Sequence, residues 1–358
     1  MDDVEVKIAG RSIGIGHPPF IIAELSANHN GAIERAFEIM AAAKRAGADA
    51  VKLQTYTPDT LTIQHDGPGF RIKEGLWAGY TLYELYEEAH TPWDWSEALF
   101  EKGRELGVIV FSTPFDETAV DHLEKLGAPA YKIASFEAVD MALIERVAHT
   151  GKPMIISTGM ANLEEIGDAV EAARSGGCNE LILLHCVSGY PTPAEDSHLM
   201  TIADLGEHFG TVVGLSDHTL GVAVSIAGVS LGAALIEKHV TLDRASGGPD
   251  SEFSLEPNEL ESLVDGTRTA WEARGTVNYA RKTSERANLV FRRSLYVVAD
   301  IERGDPLTSD NIRSIRPGFG LSPKLLPRIL GRKAKRALKR GAPLDWSCVE
   351  GGELNSAG

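Results

Sequence analysis

The chain has 358 residues, 43% hydrophobic and 24% charged, the balance of an ordinary globular protein with room for a barrel-sized domain and a small companion. No 18-residue apolar run occurs, which excludes a membrane span, and the three cysteines (Cys178, Cys186, Cys348) lack CxxC spacing, which excludes a disulfide scaffold. The net charge of −16 is unevenly spread: residues 281–348 hold 16 Lys and Arg against 6 Asp and Glu, and the acid is concentrated before them. The start, Met1-Asp2-Asp3-Val4-Glu5, has neither the basic nor the apolar region of a signal peptide. With the unpaired cysteines, this predicts a cytoplasmic protein.

In chain order, apolar and β-branched runs recur at Phe20 to Glu24, Ala50 to Gln54, Val108 to Ser112 and Ala130 to Ile133. They continue at Met154 to Ser157, Leu181 to His185, Val212 to Leu215 and Leu235 to His239. Amphipathic stretches lie between them, clearest at Ile33 to Ala46 and Leu163 to Ser175, and glycine often closes them. The alternation predicts parallel βα units, and eight of them predict an α/β fold, a (β/α)₈ TIM barrel over residues 1–275. An open doubly wound sheet competes, but no GxGxxG opens a helix after the first run. The longest interruption, Thr57 to Pro92, holds Gly67-Pro68-Gly69 and a helical segment at Thr81 to Tyr86; a loop of this length predicts a wall of a substrate pocket. Residues 276–290 are polar and read as a linker. Residues 291–358 form a small β-rich domain, with a strand-like piece at Ser294 to Val298 and turns at Arg303-Gly304-Asp305-Pro306 and Arg340-Gly341-Ala342-Pro343. Its basic stretch, Arg332 to Arg340, raises nucleic-acid binding. The lack of aromatic interleaving or a recognisable motif favours docking on the acidic part of its own chain or a partner's instead.

In a (β/α)₈ barrel the carboxyl ends of the strands carry the chemistry. The polar residues there are Glu24, Asn28 and His29 after the first run, Lys52 and Gln54 on the second, and Lys132, Ser135 and Glu137 at the fourth. Ser157 and Thr158 end the fifth, Ser188 and Tyr190 follow the sixth, Ser216 and His218 the seventh, and Lys238 and His239 the eighth. His218 and His239 are 21 residues apart, one strand–helix–strand unit, so two imidazoles converge and can hold a divalent metal. The plain alternative is two histidines satisfied by backbone bonds. Lys52 and Lys132 interrupt apolar strands, and a buried lysine needs an anion. Two of them with serines nearby predict a phosphate or carboxylate ligand; the alternative is that each pairs with a carboxylate such as Glu24 or Glu137. Glu24 and Glu137 are the candidates for moving protons or activating water. Such a site suits carbon–carbon bond formation between a phosphorylated carbanion equivalent and an aldehyde. A sugar isomerase on the same barrel would need more carboxylate ligands and no anion subsite.

Taken in order, Ile22-Ala23-Glu24-Leu25, Asn28-His29, Val51-Lys52-Leu53-Gln54-Thr55, Ser112-Thr113-Pro114-Phe115 and Tyr131-Lys132-Ile133 resemble the sialic acid synthase family. So do Ser157-Thr158-Gly159-Met160, Tyr190-Pro191-Thr192, Gly214-Leu215-Ser216-Asp217-His218 and Glu237-Lys238-His239. The tail resembles the family's antifreeze-like (SAF) domain, with Arg316-Pro317-Gly318 at its signature loop. The resemblance implies condensation of phosphoenolpyruvate with an open-chain acetamido sugar. His218 and His239 would bind the metal, manganese in first place with magnesium or cobalt as substitutes. Lys52, Lys132, Ser135, Ser157, Ser188 and Ser216 would surround phosphoenolpyruvate, and Gln54, Tyr190 and Asp250 would contact the sugar. Arg316 would reach the site of a partner subunit in a domain-swapped homodimer, with no nucleic-acid or membrane partner. Ile133-Ala134-Ser135-Phe136-Glu137, Gly75-Leu76-Trp77 and Gln54-Thr55-Tyr56 resemble the pseudaminic acid synthases within the family. That resemblance implies 2,4-diacetamido-2,4,6-trideoxy-L-altrose as the sugar, with Phe136, Tyr56 and Trp77 facing its apolar groups; synthases of N-acetylneuraminate or legionaminate are the alternative. Ser188 departs from the asparagine that sialate-type members often carry.

Overall fold

The computed structural model describes residues 4–352; the acidic Met1–Asp3 and the last six residues of the tail domain lie outside the described residues. The described chain falls into two compact units, divided after Gly275.

The first unit opens with a hairpin, β1 (Val6–Ile8) and β2 (Arg11–Ile13), joined through Ala9-Gly10, both with positive φ. Eight parallel strands then close a barrel: β3 (Phe20–Glu24), β4 (Ala50–Thr55), β5 (Ile109–Pro114), β6 (Tyr131–Ile133), β7 (Met154–Ser157), β8 (Leu181–Cys186), β9 (Val212–Ser216) and β10 (Leu235–His239). Closure is made by β10 against β3, with Leu235 beside Phe20 and His239 beside Glu24. The expected TIM-type barrel is borne out. Helices α1 (Ile33–Ala46), α2 (Pro58–Leu61), α3 (Leu82–Ala89), α4 (Ser96–Leu106), α5 (Glu117–Leu126), α6 (Met141–Ala148), α7 (Leu163–Ser175), α8 (Thr201–Phe209), α9 (Ala223–Ser230) and α10 (Pro257–Arg274) connect or follow the strands. In α1, Ala36, Ile39, Met40 and Ala43 recur at helical spacing and are buried; Gly47, at φ 93°, closes the helix where a side chain would be strained.

Burial on both faces explains why the strands read as continuous apolar runs. Outward residues such as Val51, Leu53 and Ile133 pack on helix residues such as Ile39 and Leu143. Inward residues form a separate core of Phe20, Ile22, Phe111, Ile155, Ile182 and Leu184. Val6, Ile8 and Ile13 of the hairpin belong to this inner core, so the hairpin stoppers the amino-terminal end of the barrel. No described helix is long and apolar enough to cross a membrane.

The second unit pairs β11 (Ser294–Val297) with β12 (Ile312–Ile315) antiparallel, and adds isolated bridges such as Ile301 to Leu338 and a short helix, α11 (Leu326–Ile329). Its core holds Leu295, Val297, Leu307, Ile312 and Leu344. Ala334 and Leu338, inside the basic stretch, also belong to that core, so the lysines and arginines around them are the polar side of a packed segment.

Candidate active site

Side chains along a strand alternate between the two faces, so inward positions repeat every two residues. Above the inner apolar core, that period delivers Glu24 on β3, Lys52 and Gln54 on β4, Thr113 on β5, Lys132 on β6, Ser157 on β7, Cys186 on β8, Ser216 on β9, and Glu237 and His239 on β10. A cavity of about 350 Å³ opens over this layer. Its lining includes Lys52, Gln54, Lys132, Ser135, Glu137, Ser157, Tyr190, Ser216, His218, His239 and Asp250, with Tyr56 and Phe136 on the apolar side.

The floor is ionic. Lys52 Nζ lies 2.8 Å from Glu24, 3.1 Å from Thr113 Oγ1 and 3.7 Å from Glu237, and Gln54 Nε2 donates to Glu24 at 2.9 Å. The alternative in which a lysine merely pairs with a carboxylate therefore holds for Lys52. Lys132 differs: its ammonium donates to Ile133 O at 3.1 Å, and its nearest carboxylate, Glu237, stands 3.9 Å away. Burial works to lower the Lys52 pKa, yet Glu237 and Glu24 hold it above the ordinary lysine value. Burial wins at Lys132 and pulls it below. Lys132 is thus the floor cation with charge to spare, and on the neighbouring strand Ser157 Oγ is buried with no hydrogen-bond partner among the described residues. An anion entering the cavity finds both.

Glu237, absent from the residues singled out by sequence, is the hub of this floor. It accepts from Ser216 Oγ at 3.4 Å and lies near both lysines. Burial opposes its ionisation, but Lys132 and Lys52 keep its pKa below the usual glutamate value. Lys238 turns the other way: on the outward face it meets Asp217 at 2.9 Å and Thr219 O at 2.5 Å, outside the cavity.

Higher up, Ser135 Oγ accepts from Gly159 N at 3.1 Å. A methyl group at position 159 would sit 2.3 Å from Ser188 Oγ and 2.7 Å from Ser135 Oγ, so glycine alone leaves room for both hydroxyls beside it. Ser188 is beside the lining rather than in it, 3.9 Å from Cys186 Sγ. Phe136 is 58% exposed, whereas Tyr56 is buried between Tyr86 and Phe115, with ring centroids 5.9 and 5.1 Å away. Tyr190 lies over His218 at 4.4 Å between centroids. Asp250 accepts from Ser26 Oγ and from Ala27 N, and burial pushes its carboxyl up to about 6. Arg316 is carried by the second unit.

The carboxylates named for proton transfer stand in different surroundings. Glu24 is sealed beneath the cavity lining, tied to Lys52 and Gln54, with burial raising its pKa. Glu137 lines the cavity; its Oε2 is buried without a partner, and burial pushes its carboxyl up to about 7 against the pull of Lys132.

The rings of His218 and His239 are 5.4 Å apart between centroids. Val187 O occupies His218 Nδ1 at 3.0 Å, leaving its Nε2 for another role, and His239 Nδ1 is buried with no partner. Burial, reinforced by His218 and the nearby lysines, holds His239 far below the usual histidine value and so neutral, as a metal-ligating imidazole must be. Among the described residues no group of three or more His, Cys, Asp or Glu side chains is set to hold a metal. The two imidazoles are thus the only neighbouring nitrogen donors that this corner of the cavity would offer a divalent ion among the described residues. Burial works to lower the His218 pKa, but Cys186 Sγ, 3.9 Å from His218 Nδ1, helps raise it above the ordinary value.

The sequence matches the NeuB family over residues 39–279 and the SAF domain over residues 292–350. The chain belongs to the NeuB family. It is 45% identical over 335 residues to the pseudaminic acid synthase of Helicobacter pylori, covering 93% of this chain and 98% of that protein. It is 35% identical to the N,N'-diacetyllegionaminic acid synthase of Legionella pneumophila, over 92% and 94% of the two chains. The N-acetylneuraminic acid (sialic acid) synthetase from Leptospira borgpetersenii superposes with a TM-score of 0.72 at 32% identity, over 80% of this chain and 95% of that one. The resemblance read from the motifs is borne out, and the NeuB match spans most of the barrel.

Proposed function

We propose that this NeuB family member condenses phosphoenolpyruvate with 2,4-diacetamido-2,4,6-trideoxy-L-altrose to give pseudaminic acid and phosphate, and that it works in the cytoplasm. The observation that carries the reaction class is the under-paired Lys132 ammonium on β6 together with the partnerless Ser157 hydroxyl on the neighbouring strand β7, both lining one cavity, which offers a small anion a cation and a free donor. The choice of sugar is supported by 45% identity to the Helicobacter pylori synthase against 35% to the legionaminic acid enzyme. Three free cysteines support a reducing compartment.

In this reading Lys132, Ser135, Ser157 and Ser216 orient phosphoenolpyruvate, Ser188 supports Ser135 from behind, and Lys52 fixes Glu24 and Glu237 around them. Gln54, Tyr190 and Asp250 hold the sugar. His218 and His239 would hold the divalent metal, which supplies Lewis acidity at an aldehyde oxygen. The phosphoenolpyruvate methylene forms the new bond to the aldehyde carbon while the carbonyl π pair moves to the oxygen, which takes a proton and becomes a hydroxyl, and the phosphate-bearing carbon is left cationic. Glu137 takes a proton from the water that adds at this carbon, and the C–O bond to phosphate then breaks as the new hydroxyl gives up its proton and becomes the keto group. Phosphate release should be much faster with the trideoxy sugar than with N-acetylmannosamine, stop after chelation and return with Mn²⁺. Release with N-acetylmannosamine alone would move the chain to the alternative, an N-acetylneuraminate synthase, and activity indifferent to chelation would remove the metal.

The basic second unit and the acidic barrel support a domain-swapped homodimer in which Arg316 of the partner subunit completes the site. The expected solution mass is that of two chains. A fully active monomer would sink the swap.

A further inference from the structure

The cavity is divided by chemistry. Its ionisable groups stand on the barrel strands and the loops just above them, whereas most of its apolar wall comes from one excursion between β4 and α4. Leu61, Ile72, Leu82, Leu85 and Tyr86 face the cavity from there. Leu85 is buried, but Leu61, Ile72, Leu82 and Tyr86 are only half-buried, so they keep apolar surface open to the cavity. The wall is held in place. Ile72 sits in a turn closed by Ile72 N to Tyr80 O and Gly79 N to Ile72 O, each 2.9 Å, and Leu82 N donates to Phe70 O at 2.8 Å. Trp77 Nε1 donates to Pro249 O at 2.8 Å and its ring lies 5.5 Å from that of Tyr190. This ties the excursion to the loop that carries Asp250.

Resting on the reading of the site given above, a sugar must bring its aldehyde carbon down to the ionic floor. Its far end then lies against the excursion. A hydroxyl pressed there loses water and gains no partner, whereas a methyl group gains contact and releases ordered water. We propose that residues 58–89 are the specificity wall: they receive the methyl end and an acetyl methyl of the sugar, so the site selects deoxy, N-acylated chains over those ending in hydroxymethyl.

The test compares wild type with Ile72→Thr and Leu82→Gln, using phosphate release from phosphoenolpyruvate with the trideoxy diacetamido sugar and with N-acetylmannosamine. Selectivity, the ratio of the two kcat/KM values, should fall about 10–100-fold in each variant, while KM for phosphoenolpyruvate stays within about twofold. Ile72→Thr keeps the β-branched shape on an open turn, so it answers the question even if Leu82→Gln does not fold. A wild type active on the trideoxy sugar whose variants keep its selectivity would overturn the wall alone, as would an equal rise in KM for phosphoenolpyruvate. A wild type that is inert, or that uses only N-acetylmannosamine, would overturn the functional reading and the wall together.

Discussion

Glu137→Gln should lower kcat by about 10²–10⁴-fold, the range for losing a positioned proton acceptor, with little change in KM for either substrate. The carboxyl is buried without a partner and pushed up to about 7, so it is protonated below neutral pH and can accept a proton only above it. Wild-type kcat/KM should therefore fall about tenfold per unit as pH drops below 7, and the variant should lack that acid limb. Thermal stability supplies the control. A carboxyl whose pKa is raised by folding destabilises the fold once it ionises, from its unfolded value upward, so the amide should melt at the same temperature or slightly higher at pH 8. Wild-type turnover under saturating substrates would transfer the role to Glu24.

Lys132→Met should cost about 10²–10³-fold in kcat/KM, read mainly as a rise in KM for phosphoenolpyruvate, because it removes the one floor cation not already engaged by a close carboxylate. Burial lowers the pKa of this lysine, so the fold gains nothing from its charge, and methionine of similar length should leave melting unchanged or raise it. Lys52→Met should behave differently. It leaves Glu24 and Glu237 buried without their nearest cation and should lower the melting temperature along with activity. Equal effects of the two substitutions, on binding and on melting, would show that the lysines are interchangeable and refute the division of labour.

The barrel was legible because each strand, buried on both faces, leaves a short apolar run broken only where a site residue such as Lys52 or Lys132 turns inward. The site was legible in part. Charge drew attention to Lys52 and Lys132, but charge alone cannot tell an engaged lysine from a free one, and only the 2.8 Å and 3.9 Å separations separate them. The two-residue period, carried back from His239, would have found Glu237 and dismissed Lys238. That signal is present in Leu235-Ile236-Glu237-Lys238-His239, where Lys238 beside it carries the more conspicuous charge. Thr113 and Cys186 follow from the same period. The hairpin at Val6 to Ile13 was not legible: two three-residue strands with a single glycine between them are too short to show a pattern.

That hairpin has a kinetic consequence. With Val6, Ile8 and Ile13 packed into the inner core, the amino-terminal end of the barrel is filled, and the cavity lies over the carboxyl ends of the strands. In the proposed reading phosphoenolpyruvate is held at Lys132, on a barrel strand, and the sugar reaches from there to Leu82 on the excursion, so the sugar lies over it. In that reading the expected traffic is first in, last out: phosphoenolpyruvate arrives before the sugar, and phosphate leaves after the long product, an order that product-inhibition patterns check.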